Sequence, residues 1–215
     1  MKSKSMLLAP VLLAASMVAT SSQLLADDDC HWWQFRHCSR QDQIEGLPSD
    51  APQGGTLITI DVARNELYLF EDGRLIDKAP VATGSETILK KGRRIWLFHT
   101  PRGLLKVLRK IEDPIWVKPD WAFIEEGRPI PPPGSPARRI KGHLGQYALD
   151  LGEGVMIHGT DDVGSFGKRL SHGCIRVPDD TLEIVWNAAR VGTPVYIFES
   201  ERVQTASTGR HSDLD

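Results

Sequence analysis

RLSHGCIRV, residues 169–177, sets Cys174 two residues after His172, with Gly173 between them and Arg176 two residues beyond. The thiolate, not the thiol, is the nucleophile, so a reactive cysteine needs a base or a positive neighbour. Two histidines offer this: His172 within the stretch, and His158 in MIHGT (156–160). In a plain strand His172 and Cys174 would share a face. Ser171-His172-Gly173-Cys174, shortly before a helical pattern, reads instead as a tight turn, in which Gly173 permits an unusual dihedral or a close approach. Backbone N–H groups in such a turn can converge on one point and hold an oxyanion. His158 then comes from a separate element, as the base in cysteine–histidine enzymes usually does. The competing reading of a lone cysteine is an inert core residue.

Outward from this stretch the chain reads as strands. After a polar linker, GLPSDAPQGG (46–55), TLITIDV (56–62) alternates and ARN turns. ELYLFED (66–72) follows, with Leu67 and Leu69 on one face and Tyr68 and Phe70 on the other. Gly73 leads into RLIDKAPVAT (74–83), a β-meander opening. RIWLFHT (94–100) and LLKVLRKI (104–111) are expected as further strands, split by a turn at TPRG. QYALDLG (146–152) and GVMIHGT (154–160) pair across a Gly-Glu-Gly turn, and TPVYIFE (193–199) is a closing strand. PDDTLEIVWNAAR (178–190) is the one clear helix: Leu182, Val185, Trp186 and Ala189 share a face, Asp179 and Asp180 begin it and Gly192 ends it. Residues 112–145 have no clean period and are rich in proline, with Trp116 and Trp121 among them. Such a segment is either a lid or binding loop, or an ordered surface excursion. The expected fold is mostly β, sandwich- or barrel-like, with one helix after the Cys174 turn.

Two lysines, an apolar stretch and a small residue at Ala26 make residues 1–26 read as a secretory signal peptide. The apolar run is too short to span a bilayer comfortably. A Cys-containing segment and linker (27–54), one domain (55–199) and a disordered polar tail (200–215) are expected to follow. In an oxidising compartment Cys30 and Cys38 of CHWWQFRHC are expected to form a disulfide; the same residues could be read as metal ligands, at a spacing that matches no common zinc pattern. Either outcome leaves Cys174 alone, a liability in an exported protein unless it has a task. A net charge of −2 argues against a nucleic-acid partner. Residues 86–145 nonetheless hold thirteen Lys/Arg against six acids. They form either a face that attracts a carboxylate-rich substrate or a solvated mixed surface.

HGT-(x10)-SHGCIR, carried by His158, Gly159, Ser171, His172, Gly173, Cys174 and Arg176, resembles the active-site motif of the L,D-transpeptidase catalytic domain, the YkuD-like family. TLITIDVARNELYLFEDGRL, VATG (81–84), HTPRG (99–103), the Trp/Pro-rich stretch and VGTPVYIF are similar to other family segments, over roughly residues 55–199. SETILKKGRRIWLF (85–98) departs from the family pattern, being longer and more basic, and TPRGLL lacks the usual second threonine and phenylalanine.

The resemblance implies a cysteine acyltransferase acting on peptidoglycan stem peptides as donor and acceptor, with no cofactor or metal and as a monomer; removal of the leader would leave it in the periplasm or cell envelope. It implies that Cys174 attacks the carbonyl before the terminal D-Ala and that His158 takes the thiol proton. The Gly159 carbonyl would orient His158, and the Gly173 and Cys174 amides would hold the oxyanion. Ser171 and His172 would shape the turn. Arg176 would fix the loop or bind a substrate carboxylate, and Tyr147 would line the cleft. The thioester would meet an amine, giving a 3→3 cross-link or attaching a protein or D-amino acid to the wall, or water, giving carboxypeptidase activity. Carbapenem-type β-lactams would acylate Cys174. The rivals are a hydrolase of the same bond, a silent wall-binding module, and a metal or redox protein using His158, His172 and Cys174 as ligands.

Overall fold

The computed structural model describes Pro52 and residues 54–201. The expected leader (1–26), Cys30, Cys38 and the tail after Glu201 lie outside the described residues. The chain begins with the expected meander, β1 (Thr56–Asp61), β2 (Glu66–Glu71) and β3 (Arg74–Pro80). There follow β4 (Thr83–Gly84), a hairpin of β5 (Thr87–Lys91) and β6 (Arg94–Phe98), then β7 (Gly103–Lys106), β8 (Arg109–Glu112) and β9 (Ile115–Val117). A short helix α1 (Asp120–Glu125) and β10 (Arg139–Lys141) lead to the pair β11 (Tyr147–Gly152) and β12 (Val155–His158). β13 (Arg169–Ser171), β14 (Ile175–Arg176), helix α2 (Asp179–Ala188) and β15 (Pro194–Phe198) complete the domain.

Two larger sheets carry the fold. One has the order β3-β2-β1-β15-β7 and the other β14-β12-β11-β8. Alternation decides what each strand buries. Ile58, Ile60, Leu67 and Leu69 from the first sheet meet Leu149, Leu151, Ile157 and Ile175 from the second, with Leu182 and Val185 of α2, in one core. Leu57, Tyr68 and Phe70 form a separate small cluster with Tyr196, as the two-faced pattern of ELYLFED implies. LLKVLRKI is not a single strand. Val107 bonds to the Thr193 carbonyl and Leu108 to that of Asp150, so the chain crosses from one sheet to the other at these residues. Ser200, the first residue of the expected tail, belongs to the domain: it is buried, and its amide and hydroxyl donate to buried Asp61.

The proline-rich segment is ordered, and it adds a helix to the one expected. β9 and β10 pair antiparallel, with Trp116 opposite Ile140. Prolines remove ladder donors, which leaves carbonyls seeking partners. Buried Arg138 answers them: its guanidinium donates to the carbonyls of Lys118 and Pro131, at 2.9 and 2.6 Å, and to Asp120 at 2.5 Å. Arg138→Ala should therefore speed amide exchange over residues 115–141 by on the order of 10–100-fold. Amides of β11 and β12 should keep their protection. Uniform loss of protection across the domain would assign Arg138 to global stability instead.

Candidate active site

β12 and β14 run parallel, with Ile157 opposite Ile175 and His158 opposite Arg176. Both isoleucines are fully buried in the core. Strand alternation then turns Met156, His158 and Arg176 to the opposite face, and Cys174 joins them as β14 begins. That face opens into a pocket of about 510 Å³, lined by His158, Cys174, Arg176, Ser171 and His172 and walled by Trp116, Trp121, His143 and Glu153. The proline-rich segment thus supplies one wall of the cavity. The four histidine, cysteine and arginine positions drawn from the sequence motif are brought together.

Gly173 holds the turn in a conformation that other residues adopt poorly. Its φ is +125°, and a Cβ would lie 2.9 Å from the His99 carbonyl oxygen. Thr100, buried, donates through Oγ1 to the Gly173 carbonyl at 2.9 Å and accepts from the Gly84 amide at 2.8 Å. Ser171 Oγ donates to the Cys174 carbonyl at 2.5 Å and accepts from the Gly173 amide at 3.1 Å. Ser171 therefore braces the turn from within and Thr100 from outside. The Gly173 amide is already engaged by Ser171, so the expected oxyanion pair of Gly173 and Cys174 amides is not preset. Nothing in HTPRG alone signals a contact between Thr100 and Gly173, which are far apart in the chain.

His158 is buried, and its Nδ1 lies 2.5 Å from the Gly159 carbonyl oxygen. A carbonyl only accepts, so Nδ1 carries the proton and Nε2 keeps the lone pair. Burial lowers the His158 pKa to about 4, with the Gly159 bond opposing and the charges of Arg176 and His143 assisting. Burial also pushes the Cys174 thiol upward, against the Met156 amide and the Arg176 charge. Sγ donates to the Gly154 carbonyl at 3.4 Å. Desolvation favours the neutral form of each group, more strongly for buried His158 than for half-buried Cys174.

Around this pair the remaining motif residues take distinct places. His172 stacks on Trp121 at 3.8 Å, meets Phe98 edge-on at 4.4 Å and bonds Glu125 at 2.8 Å. Burial lowers its pKa, opposed by Glu125. Arg176 pairs with Asp162 at 3.0 Å, and His143 with neighbouring Asp161 at 3.0 Å, tying the loop after His158 to the pocket wall. Tyr147 is elsewhere. It stacks on Trp186 at 4.5 Å and packs against the core, so it does not line the cleft. Its parity on β11 matches Leu149 and Leu151, which face the core.

The family model for the L,D-transpeptidase catalytic domain matches residues 55–197. This chain belongs to that family. Among curated relatives of this L,D-transpeptidase-family chain, the probable L,D-transpeptidase ErfK/SrfK of Salmonella typhimurium is 30% identical over 160 residues, 71% of this chain and 46% of the relative. The probable L,D-transpeptidase YbiS of Escherichia coli is 29% identical over 178 residues, 76% and 57% of the two chains. YqjB of Bacillus subtilis, also named as an L,D-transpeptidase, is 32% identical over 153 residues, 69% and 74% of the two. The chain thus spans about half the length of the first two. The crystal structure of the L,D-transpeptidase (residues 123–326) from Xylanimonas cellulosilytica shares the fold, with TM-score 0.52 and 20% identity over 71% of this chain and 64% of that one.

The buried imidazole makes stability depend on pH. The native pKa, about 4, lies below the ordinary 6.5, so the unfolded chain binds the proton first. The contribution is fully present above pH 6.5 and is lost as pH falls toward 4, about 3 kcal/mol in all. Denaturant unfolding between these values should show that slope in the wild type and a flatter one in His158→Gln. Parallel curves would mean that His158 titrates normally in the fold.

Proposed function

We propose that this chain is an exported acyltransferase that acts on peptidoglycan stem peptides through a thioester on Cys174. One observation carries the reading: the β12–β14 register puts Cys174 and a neutral, oriented His158 on one wall of one pocket. In the proposed reaction Sγ attacks the carbonyl preceding the terminal D-Ala. The thiol proton passes to Nε2 of His158 as the carbon–sulfur bond forms, so negative charge arises on the carbonyl oxygen. The Cys174 amide would meet it, joined by that of Gly173 if Ser171 yields. Collapse breaks the C–N bond, and the imidazolium protonates the departing amine. An acceptor amine then attacks the thioester while His158 takes its proton, and the thiol is restored. The acceptor is a second stem peptide, a wall-anchored protein or a D-amino acid.

Arg176 lies at the same wall, where its charge favours both the thiolate and the neutral imidazole. It fixes the loop through Asp162, and its remaining donors would meet a substrate carboxylate. Export follows from the leader read in residues 1–26.

Incubation with a disaccharide-tetrapeptide, read by mass spectrometry, tests the reading. Cross-linked dimers, or exchange with an added D-amino acid, are expected. Tripeptide alone would assign hydrolysis. Cys174→Ser should abolish both products, and His158→Ala should slow thioester formation by about 10²–10⁴-fold. Arg176→Lys should weaken substrate use with the fold intact, because a bidentate fork becomes a point charge. Full activity in Cys174→Ser would refute the nucleophile.

A further inference from the structure

The hairpin of β5 and β6 stands apart from both large sheets and pairs only with itself. Its register sorts its side chains into two faces. Leu89 lies opposite Trp96 and Thr87 opposite Phe98 on one; Ile88 lies opposite Leu97 and Lys90 opposite Ile95 on the other. The first face is the rooted one. Phe98 is buried, meeting Trp121 at 5.3 Å and His172 at 4.4 Å, while Leu89 and Trp96 are half-buried. Arg94 ties the hairpin to Asp120 at 2.5 Å.

The second face breaks the usual pattern of a solvated sheet, which is polar. Ile88, Ile95 and Leu97 are 57%, 66% and 53% exposed. The turn end carries Lys90, Lys91 and Arg93, all exposed and none with an acidic partner among the described residues. Three bare aliphatic side chains that share a face with Lys90, with Lys91 and Arg93 exposed at the turn end, match the chemistry of an anionic lipid surface. Cations meet headgroup phosphates while aliphatic groups enter the acyl boundary. A soluble polyanion would satisfy the cations and leave the aliphatic face bare. A second apolar protein face would cover the aliphatics and leave the cations without partners.

We propose that the Thr87–Phe98 hairpin docks this protein on an anionic phospholipid surface. Docking at the hairpin holds the pocket close to the membrane, because Phe98 at the hairpin's base touches His172 at the pocket wall. The residues responsible are Ile88, Ile95 and Leu97 for insertion and Lys90, Lys91 and Arg93 for attraction.

The test is co-sedimentation of the full chain with vesicles of phosphatidylcholine alone or mixed with phosphatidylglycerol. Three proteins are compared: wild type, the triple variant Ile88→Ser, Ile95→Ser, Leu97→Ser, and the triple variant Lys90→Gln, Lys91→Gln, Arg93→Gln. The N-terminal apolar run is common to all three, so differences report the hairpin. Each cation near an anionic leaflet is worth about fivefold in binding, so the glutamine variant should bind mixed vesicles about 100-fold more weakly. The serine variant should also bind more weakly, and added salt should weaken the wild type more than the glutamine variant. Melting temperatures should stay unchanged, because every substituted side chain is exposed. Equal binding by all three proteins would overturn the proposal. So would a serine variant that binds as well as wild type, which is the signature of a plain polyanion site. A dimer of the wild type that the serine variant loses, without any lipid preference, would assign the face to a second copy and overturn it too.

Discussion

The parallel pairing of Ile157–His158 with Ile175–Arg176 is the contact on which the rest of the site depends. It joins residues distant in the chain, and the hydrophobic effect fixes its register, because Ile157 and Ile175 must both enter the core. A slip of one residue would exchange the two faces, placing His158 in the core and an isoleucine in the pocket. The second requirement is the shape of the turn before β14. Gly173 at positive φ, the Thr100 hydroxyl on its carbonyl and Ser171 within the turn together aim Cys174. Core packing thus sets which side chains share the cavity, and a few buried polar contacts set how they are presented.

Burial decides the charge state of the pair. Desolvation is the largest influence on both groups and acts toward neutrality in each, fully for buried His158 and against an open pocket side for the half-buried Cys174. The Met156 amide and Arg176 oppose this for the sulfur without reversing it.

Much of this was legible in the sequence. Alternation in TLITID and ELYLF fixed both faces of the first hairpin, and the spacing of Leu182 and Val185 fixed the buried face of α2. The family resemblance of the motif pointed to Cys174, His158 and the Gly159 carbonyl as one group, and His158 Nδ1 does meet that carbonyl. What escaped is what depends on long-range contact. Local pattern shows neither the sheet change at Val107–Leu108 nor the Thr100 clamp. Helix α1 is too short to show a period, and its segment is ordered through the buried Arg138 guanidinium. Tyr147 was placed by resemblance and not by parity, which assigns it to the core side beside Trp186.

The charge state of the resting pair is the central physical claim, and the pH dependence of Cys174 alkylation measures it most directly. The second-order rate of adduct formation, followed by intact mass, should rise with pH along a single curve whose midpoint lies above that of an ordinary cysteine, since burial raises the thiol. No reactive plateau should exist between the imidazole and thiol transitions. A plateau of fast alkylation through the mildly acidic range, abolished in His158→Ala, would show a preformed thiolate–imidazolium pair and contradict the neutral one.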